Sequence, residues 1–515
     1  MHDLVLKGGT VYDGLGSPGT PADLAVAAGR VTAVGHDVGA ARRVVDVTGL
    51  AVAPGFVDAH THSDLMPLAA DVRPGKLLQG VTTEIVGNCG ISFAPADEEG
   101  ARTLGGLYGD LACGTAPAAR TFARYLDEVQ DAGPVTNIAA LVGHGTLRIA
   151  ANGMRETLRD GALDRMRTLL DEALTAGAFG LSSGLVYAPG SYADTAELAA
   201  LAEVLRPRNR IYATHLRDEG DGLLAALDEA VEVAERARVP LQVSHCKVTG
   251  RRNHGSAPAL LDRLRAARAR GVDVRGDAYP YTAGATVLVA LLPPEAVAGG
   301  SEALVRRLTE PGARESLRSL AATGRGLWNA VAAADVRVAR HRDPAVAGRT
   351  LAELAHDGDP WDTLCRTVAA DPAATAVLTA MDPDDVRTVL ADPLIGIGSD
   401  STPTAGPGHP RDHGCFPEFL GHHVRELGVV DLPTAVRKCT SANAERFGLT
   451  GRGRLEPGAV ADVCVFDPVR IAHPGGYADP RRPPVGIEHV LLAGTPVVER
   501  GVFTGVRAGR VLRAR

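Results

Sequence analysis

Two histidines stand two residues apart in the segment Val57–Asp64, which reads VDAHTHSD. Side chains of a strand alternate between its two faces, so His60 and His62 point to the same side and could share one metal ion. An isolated pair of this kind is a weak signal, because core packing explains most such pairs. The pair supports a metal site only if other ligand-forming residues are predicted to lie near it.

Four further ligand-forming side chains follow predicted strands. They are Cys89 in VGNCG, His215 in ATHLR, His245 in VSHCK and Asp400 in GSD. Each of them alone is more simply explained as a buried structural residue. All of these groups nevertheless fall at the carboxyl ends of strands, which meet at one rim of a parallel barrel, where barrel enzymes build their chemistry. The sequence therefore predicts a metal centre.

The types of these residues indicate which metal and which chemistry. One thiolate, two neutral imidazoles and an open position form the ligand set expected of catalytic Zn²⁺, which lowers the pKa of its bound water towards about 7. Asp400 could take the proton of that water and later pass it to a leaving amine. This combination predicts metal-assisted hydrolysis.

The middle of the chain alternates strand-like runs with helical patterns, for example the apolar stripe of Asp221–Arg238. Eight strands are predicted, at Phe56–His60, Thr83–Gly87, Asn137–Leu141, Ala178–Ser182, Ile211–His215, Leu241–His245, Val272–Tyr279 and Leu394–Asp400. Eight strand–helix units predict an α/β fold, a (β/α)8 TIM-like barrel over residues 55–444. Longer gaps at about 95–134 and 290–390 are interpreted as insertions, the second rich in helix. Residues 1–54 and 445–515 read as short strands separated by turns.

Composition excludes several classes of protein. The 515 residues include 54 basic and 61 acidic side chains, a net charge of −7, which argues against binding to nucleic acid or to an anionic membrane. No apolar run approaches the roughly 20 residues that cross a bilayer, and the first residues lack a secretory pattern. The seven cysteines form no CxxC pair and suit reduced thiols. We therefore expect a folded cytoplasmic protein.

The chain resembles the amidohydrolase superfamily, and specifically its N-acyl-D-amino-acid deacylase (D-aminoacylase) branch. The matching segments are GFVDAHTHSD from Gly55, GVTTEIVGNCG from Gly80, GLSSGLVYAPGSYA from Gly180, YATHLRDEG from Tyr212, VSHCK from Val243, DAYPYTAG from Asp277, GSDS from Gly398, HPRDHGCFPEFLG from His409, and SANAERFGL to ADVCVFDP from Ser441. Single motifs belong to the whole superfamily. The NCG cysteine together with SHxK and HPRxxGxFP is far more specific to this branch.

The resemblance implies the assignment of the ligands. Cys89, His215 and His245 would hold a tightly bound zinc ion, while His60 and His62 together with Cys89 would frame a second position that is weaker or empty. Related enzymes that hydrolyse cyclic amides bridge two metal ions with a carboxylated lysine on the fourth strand, but that strand reads AFGLSS here. The cysteine therefore looks like the substitute for that anionic ligand.

The resemblance also implies that Asp400 is the catalytic acid and base, and that the two β-rich ends combine into one small β-sandwich beside the barrel. A substrate carboxylate needs a fixed cation, and arginine binds it with two parallel hydrogen bonds. In the family the positions of Arg411, Lys247 and Tyr279 or Tyr281 contact this carboxylate. Solvated surface charges and buried tyrosines are the simpler alternatives for these residues.

Two further features concern the substrate pocket. Tyr187 and Tyr192 lie in the loop YAPGSY after the fourth strand, which is either an ordinary surface loop or a wall of the acyl pocket. Glu418 stands where arginine is common in the family. An acidic group there would disfavour acyl-D-glutamate and acyl-D-aspartate if it faced the pocket.

These observations predict zinc-dependent hydrolysis of an N-acyl-D-amino acid to a carboxylate and a free D-amino acid. One alternative keeps the same metal site and changes the amide to a cyclic, dipeptide-like or natural-product N-acyl substrate. Another is a catalytically silent barrel that serves as a binding module, although such a protein would be expected to have lost ligands. The expected partner is a small molecule rather than a nucleic acid or a membrane.

Overall fold

The computed structural model describes residues 1–402 and 408–515 as an α/β structure with several sheets. Its strands are β1 (His2–Val11), β2 (Thr20–Ala27), β3 (Arg30–Gly35), β4 (Ala41–Asp46), β5 (Ala51–Pro54), β6 (Phe56–Asp58), β7 (Val81–Val86), β8 (Asn137–Ala140), β9 (Val142–Gly143), β10 (Gly180–Gly184), β11 (Ile211–His215), β12 (Leu241–Val243), β13 (Val274–Ala278), β14 (Ala283–Val287), β15 (Val336–Arg340), β16 (Thr375–Thr379), β17 (Ile395–Ile397), β18 (Val463–Phe466), β19 (Ile487–Leu492), β20 (Thr495–Glu499), β21 (Val502–Phe503) and β22 (Val511–Leu512). Its α-helices are α1 (Glu98–Tyr108), α2 (Phe122–Asp131), α3 (His144–Asn152), α4 (Ala162–Ala176), α5 (Thr195–Ala202), α6 (Leu223–Ala237), α7 (Ala257–Ala269), α8 (Ser301–Thr309), α9 (Pro311–Ala322), α10 (Leu351–Ala355), α11 (Pro360–Ala370), α12 (Pro383–Ala391), α13 (Arg411–Glu418), α14 (Leu432–Cys439) and α15 (Ser441–Arg446). A π-helix, Phe419–Glu426, continues directly from α13.

Parallel strands carry the predicted strand ends. A six-stranded sheet has the order β17-β13-β12-β11-β10-β9, and a four-stranded sheet has the order β22-β8-β7-β6. Each of the eight predicted strands overlaps one of these strands. Backbone hydrogen bonds also connect the two sheets, from Phe179 N–H to Ala140 O at 2.9 Å and from Ala59 N–H to Ile397 O at 3.4 Å. The carboxyl ends of strands distant in sequence therefore face the same way.

The helix predicted from apolar periodicity over Asp221–Arg238 is present as α6. Its buried residues, which include Leu227, Val231 and Ala234, recur three or four positions apart and pack beside β12 and α5. Burying one such leucine or valine contributes about 1.5–3 kcal/mol. The helix ends at Arg238, which has a left-handed backbone with φ of 57°.

The two ends of the chain meet in one sheet of nine strands, β1–β5 and β18–β21. The junction is the antiparallel pair β5 and β18, in which Pro54 lies opposite Val463 and Ala51 opposite Phe466. The sheet has its own apolar cluster, separate from the large core around the parallel strands. Strands far apart in sequence thus share one core.

The last strand departs from the sequence-based division of the chain. The prediction assigned residues 445–515 to the β-rich end domain, but β22 pairs in parallel with β8 of the four-stranded sheet, with Val511 opposite Ile138. Arg513 Nη1 also donates to Ala176 O at 2.9 Å. The final residues therefore lie against the parallel strands, and a two-residue strand gives too little sequence pattern to reveal this.

The two longer gaps contain different structures. Residues 95–134 hold α1 and α2, whereas residues 290–390 hold α8–α12 together with β15 and β16. In a three-stranded antiparallel sheet, β16 lies between β14 and β15, with Val377 opposite both Ala285 and Arg337. Sequence analysis predicted that the second gap is rich in helix, and the helices are present, but it did not identify β15 and β16, because five-residue apolar runs do not distinguish a strand from a helix segment.

Two further properties concern membrane-spanning helices and the state of the cysteines. Among the described residues, no helix combines the length and the apolarity needed to cross a membrane. The longest α-helices, α4 and α6, have 15 residues each. All seven cysteines are buried thiols, none of them in a disulfide.

Candidate metal centre and active site

Cys89 lies within a buried cluster of imidazoles. Its Sγ is 3.3 Å from His60 Nε2 and 3.4 Å from His245 Nε2. These residues follow β6, β7 and β12, so three strand ends bring them together. Their ligand atoms all lie within 4.8 Å of one another, close enough for one metal ion to contact all three.

A second group consists of His60, His62 and Asp400, whose ligand atoms also lie within 4.8 Å of one another. Asp400 Oδ1 is 3.4 Å from His62 Nε2 and 3.6 Å from His60 Nε2. The backbone N–H of Asp400 donates to His60 O at 2.8 Å, which fixes the loop after β17 against the end of β6. The two groups share His60 and are therefore adjacent.

His215, at the end of β11, forms a third group with Glu219 and His245. The ring centroids of the two histidines are 4.4 Å apart. His215 is buried, yet neither of its ring nitrogens makes a hydrogen bond with the described residues. Its Nε2 lies 3.6 Å from Glu219 Oε2, which is beyond hydrogen-bond length. Both buried nitrogens therefore lack the hydrogen bond that would offset their burial, and coordination of a metal ion would satisfy one of them. A thiol, several imidazoles and carboxylates fit zinc.

The backbone is strained where it presents the cluster. Cys89, His245 and Asp400 have positive φ angles of 52°, 35° and 50°. This conformation costs a residue other than glycine roughly 1–2 kcal/mol, and such strain concentrates at functional sites. A Cβ at Gly184 would lie 2.0 Å from Cys89 O, so only glycine at this position of β10 admits the loop that carries the thiol.

Opposite charges determine the ionisation of the cluster. Burial disfavours the thiolate, but the imidazoles of His60 and His245 outweigh this effect and hold the pKa of Cys89 well below its usual range. Burial lowers the pKa of His60, yet Cys89 and Asp277 raise it well above the usual value. The cluster therefore favours the thiolate, the form in which cysteine binds metals.

Arg411 is fully buried at the start of α13. Its Nη1 lies 2.7 Å from Asp400 Oδ2. Burial raises the pKa of a carboxyl, but Arg411 and the nearby histidines hold the pKa of Asp400 well below its usual range. The guanidinium carbon also lies 4.8 Å from the ring centroid of Tyr279. The arginine predicted to hold the substrate thus contacts the predicted catalytic carboxylate.

Two buried carboxylates, Glu219 and Asp277, contact the Nδ1 atoms of His245 and His60, whose Nε2 atoms face Cys89. Sequence analysis did not single out either carboxylate. Glu219 Oε1 lies 3.0 Å from His245 Nδ1 and 2.7 Å from Lys247 Nζ. Asp277 Oδ1 lies 3.3 Å from His60 Nδ1 and accepts the backbone N–H of His245 at 2.8 Å. Carboxylates at this position orient ligand imidazoles and fix their tautomer. Both residues stand in motifs quoted above, HLRDEG and DAYPY, beside residues that were singled out.

The ammonium group of Lys247 pairs with the carboxylate of Glu219, which also contacts His245. Its Nζ lies 2.7 Å from His245 Nδ1 and 5.7 Å from the ring centroid of Tyr279. Burial raises the pKa of Glu219, but Lys247 and the histidines lower it to about 2. The ammonium group is therefore part of the buried network rather than a solvated surface charge.

The predicted tyrosines occupy three different environments. The hydroxyls of Tyr279 and Tyr281 are buried without a hydrogen bond to the described residues, the first beside Arg411 and the second with its ring 5.2 Å from His409. The ring of Tyr187 lies 5.1 Å from that of His215. Tyr187 and Tyr279 therefore lie beside residues of the site, whereas Tyr281 contacts His409.

Tyr192 is directed elsewhere. Its hydroxyl donates to Pro294 O at 2.8 Å, and the guanidinium of Arg148 lies 5.9 Å from its ring centroid. No recorded contact of the described residues joins it to the cluster, so it connects the loop after β10 to the second gap segment.

A cavity lies beside Asp400. Its lining consists of His62, Ile91, Leu111, Tyr187, Ala285, Thr286, Val287, Ala339, Thr375, Asp400, Thr402 and Gly408. Most of these side chains are apolar or small, and among the described lining residues only the histidine and the aspartate have side chains that are ordinarily charged near neutral or acidic pH. The cavity therefore suits an uncharged group next to the cluster. Glu418, considered above as a pocket residue, is not part of this lining.

Comparison with known proteins gives the family. The profile of the amidohydrolase family matches residues 43–498. The chain is 38% identical to a D-aminoacylase of Alcaligenes xylosoxydans xylosoxydans over 99% of its own length and 97% of the relative's, and 37% identical to an N-acyl-D-glutamate deacylase of the same organism over 99% and 96%. The structure of the N-acyl-D-glutamate deacylase of Bordetella bronchiseptica, complexed with zinc and a phosphonate that mimics the tetrahedral intermediate, matches with a TM-score of 0.85 and 35% identity over all of both chains. This chain belongs to the amidohydrolase family.

Proposed function

We propose that the protein is a zinc-dependent hydrolase that cleaves N-acyl-D-amino acids to a carboxylate and a free D-amino acid. The proposal is carried by adjacent buried ligand groups in a chain similar over its whole length to D-aminoacylase. Cys89 and His215 belong to two groups that share His245, and Asp400 belongs to a third group, which shares His60 with the group of Cys89. The substrate would be a small molecule, and the seven buried thiols are consistent with a cytoplasmic location.

The architecture we propose is a (β/α)8 barrel over residues 55–444 with insertions at about 95–134 and 290–390. The hydrogen bonds that join β6 to β17 and the segment before β10 to β8 support closure of the eight parallel strands. We further propose that the nine-stranded sheet folds over its own apolar cluster as a small β-sandwich. β22 would be excluded from this sandwich.

Cys89, His215 and His245 would hold the tightly bound zinc ion, and His60 and His62 with Cys89 would frame a second, weaker position. Support comes from the short Sγ–Nε2 distances and from the two ring nitrogens of His215 that lack hydrogen bonds within the described residues. When bound, the ion would supply a Lewis acid for the amide carbonyl and for water.

Asp400 would act as the base and then as the acid. Its carboxylate would accept the proton of the attacking water and deliver it to the departing amine nitrogen. Arg411 keeps this carboxylate ionised, and burial of both side chains limits competition from bulk water. An ionised carboxylate is the form that can accept a proton.

The carboxylate of the substrate would bind where Arg411, Lys247 and Tyr279 converge. The unpartnered hydroxyl of Tyr279 and the two cations near its ring support this placement. Tyr187, beside His215, would form part of the wall of the acyl pocket. Tyr281 would lie behind these residues, and Tyr192 would support the loop rather than touch the substrate.

The test measures hydrolysis of N-acetyl-D-methionine and N-acetyl-L-methionine by the zinc-loaded protein. Hydantoins are assayed in parallel, because they represent the alternative cyclic-amide substrates. We expect turnover of the linear D compound and a loss of about 10²–10⁴-fold in kcat for Asp400→Asn, because a general base is removed. Preference for the L compound or for the cyclic amide, or full activity of Asp400→Asn, would refute the proposal.

A further inference from the structure

A separate group of ligand-forming side chains lies on the helix that begins with Arg411. Glu418 ends α13, and His422 and His423 belong to the π-helix that follows. Their ligand atoms lie within 4.8 Å of one another. In a π-helix each N–H bonds to the carbonyl five residues back, so positions i+4 and i+5 both overlie position i. This conformation places both imidazoles over one carboxylate.

His423 presents a nitrogen that has no partner. The residue is only 7% exposed, and its Nε2 lies 3.2 Å from Pro280 O, which places the ring proton on Nε2. The other nitrogen, Nδ1, is buried and makes no hydrogen bond with the described residues. A buried lone pair of this kind is unfavourable unless a proton donor or a cation reaches it.

His422 is arranged in the opposite way. Its Nδ1 lies 2.9 Å from Glu426 Oε2, which leaves Nε2 as the nitrogen with a free lone pair. A carboxylate behind the imidazole is the arrangement that orients histidines bound to metals. The side chain is 44% exposed, so an ion can reach it from solvent.

Glu418 is a mostly buried carboxyl whose pKa is raised by burial more than it is lowered by the imidazole of His422. It makes no hydrogen bond and no ion pair with the residues that the structure describes. Burial raises the pKa of Glu418 to about 7. A carboxyl in this position is stabilised either by keeping its proton or by binding a cation.

We propose that Glu418, His422 and His423 bind a divalent transition-metal ion at a site separate from the cluster around Cys89. Two imidazoles and one carboxylate are a common donor set for zinc, and nitrogen donors also suit copper and nickel. The ion would join the end of α13 to the π-helix and, through His423, to the Pro280 carbonyl. The site is structural, because its ligands contact none of the cluster residues that surround Cys89.

The experiment compares the metal content of the intact protein and of His422→Ala after equilibrium dialysis against micromolar Zn²⁺. His36→Ala, at an exposed histidine that directly follows β3, is the control. We expect His422→Ala to hold one zinc equivalent fewer than the intact protein and the control, with turnover unchanged. Because the site is separate, this difference is expected whether or not the proposed deacylase activity is found.

A second variant and a second measurement guard against misfolding. Glu418→Gln keeps the size of the side chain and removes the charge, so we expect it to lose the same equivalent while its circular dichroism is unchanged. Zn²⁺ should also raise the unfolding midpoint of the intact protein more than that of either variant, because binding to the folded state stabilises it. Equal zinc content in all proteins, or binding only at millimolar Zn²⁺, would overturn the proposal.

Discussion

Arg411 Nη1 lies 2.7 Å from Asp400 Oδ2, and both side chains are buried. The sequence-based prediction assigned the two residues separate roles. Arg411 would bind the substrate carboxylate, and Asp400 would take the proton of the attacking water. In the proposed site one guanidinium would serve both roles, because Tyr279, whose ring lies against it, is also a proposed contact of the substrate carboxylate. Substrate binding and the ionisation of Asp400 would therefore be coupled through Arg411.

Arg411→Ala should change the pH dependence of the reaction and lower its kcat/KM. Burial raises the pKa of Asp400 and Arg411 lowers it, so removal of the guanidinium should move the acid limb of the pH–rate profile to higher pH. We also expect kcat/KM to fall by about 100-fold or more, because a buried charge loses its partner. Zinc content should remain close to that of the intact protein. An acid limb that stays in place would show that Arg411 does not control Asp400.

Cys89→Ala should release the tightly bound metal. In the proposed site the Cys89 thiolate, beside the imidazoles of His60 and His245, would be the anionic donor, and neutral imidazoles alone bind zinc more weakly. Zinc measured after dialysis should fall well below that of the intact protein, and turnover should fall with it. Cys246→Ala is the matched control, since this buried thiol is adjacent in sequence to His245 and its pKa is raised well above the usual value by burial. Equal zinc loss in both variants would argue against a ligand role for Cys89.

Glu219→Gln should weaken metal binding without removing a proposed ligand. The carboxylate contacts both His245 Nδ1 and Lys247 Nζ, so its loss frees the imidazole to rotate and the ammonium to move. Residues that orient ligand histidines typically contribute about 10–100-fold to metal affinity. Competition with a chelator measures this affinity, and Glu229→Gln, whose carboxylate contacts Arg217 and Thr195, serves as the control. No difference between the two variants would contradict the orienting role.

Lys438 should make stability depend on pH in the alkaline range. Its Nζ donates to the carbonyls of Asp392 and Ile395 at the start of β17, and burial lowers its pKa to about 8. The unfolded chain keeps the proton up to its ordinary pKa of about 10.5, so between these values the unfolded state binds more protons and stability rises with pH. The free energy of unfolding of the intact protein, relative to Lys438→Met, should increase by about 2 kcal/mol between pH ~7 and pH ~9.5. A constant difference across this range would show that the pKa of Lys438 is not lowered in the folded state.

The sequence predicted the strands well, because short apolar runs are a local pattern. The metal-binding roles of the residues that follow these strands stay predictions. Cys89, His215 and His245 each follow a short apolar run, and parallel strands bring such ends together. The contact of Glu219 with Lys247 was not predictable, since it joins loops after two different strands. The pairing of β16 with β14 and β15 was missed for the same reason, because the strand partners are set by distant packing rather than by their own five residues.

The central claim is that Cys89, His215 and His245 bind one common ion. Crystals of the zinc-loaded protein, measured on both sides of the zinc absorption edge, test it directly. The account predicts an anomalous peak within coordination distance, about 2.0–2.3 Å, of the cysteine Sγ and one nitrogen of each histidine. A zinc-replete crystal without a peak there, or with the sulfur outside the coordination sphere, would contradict it.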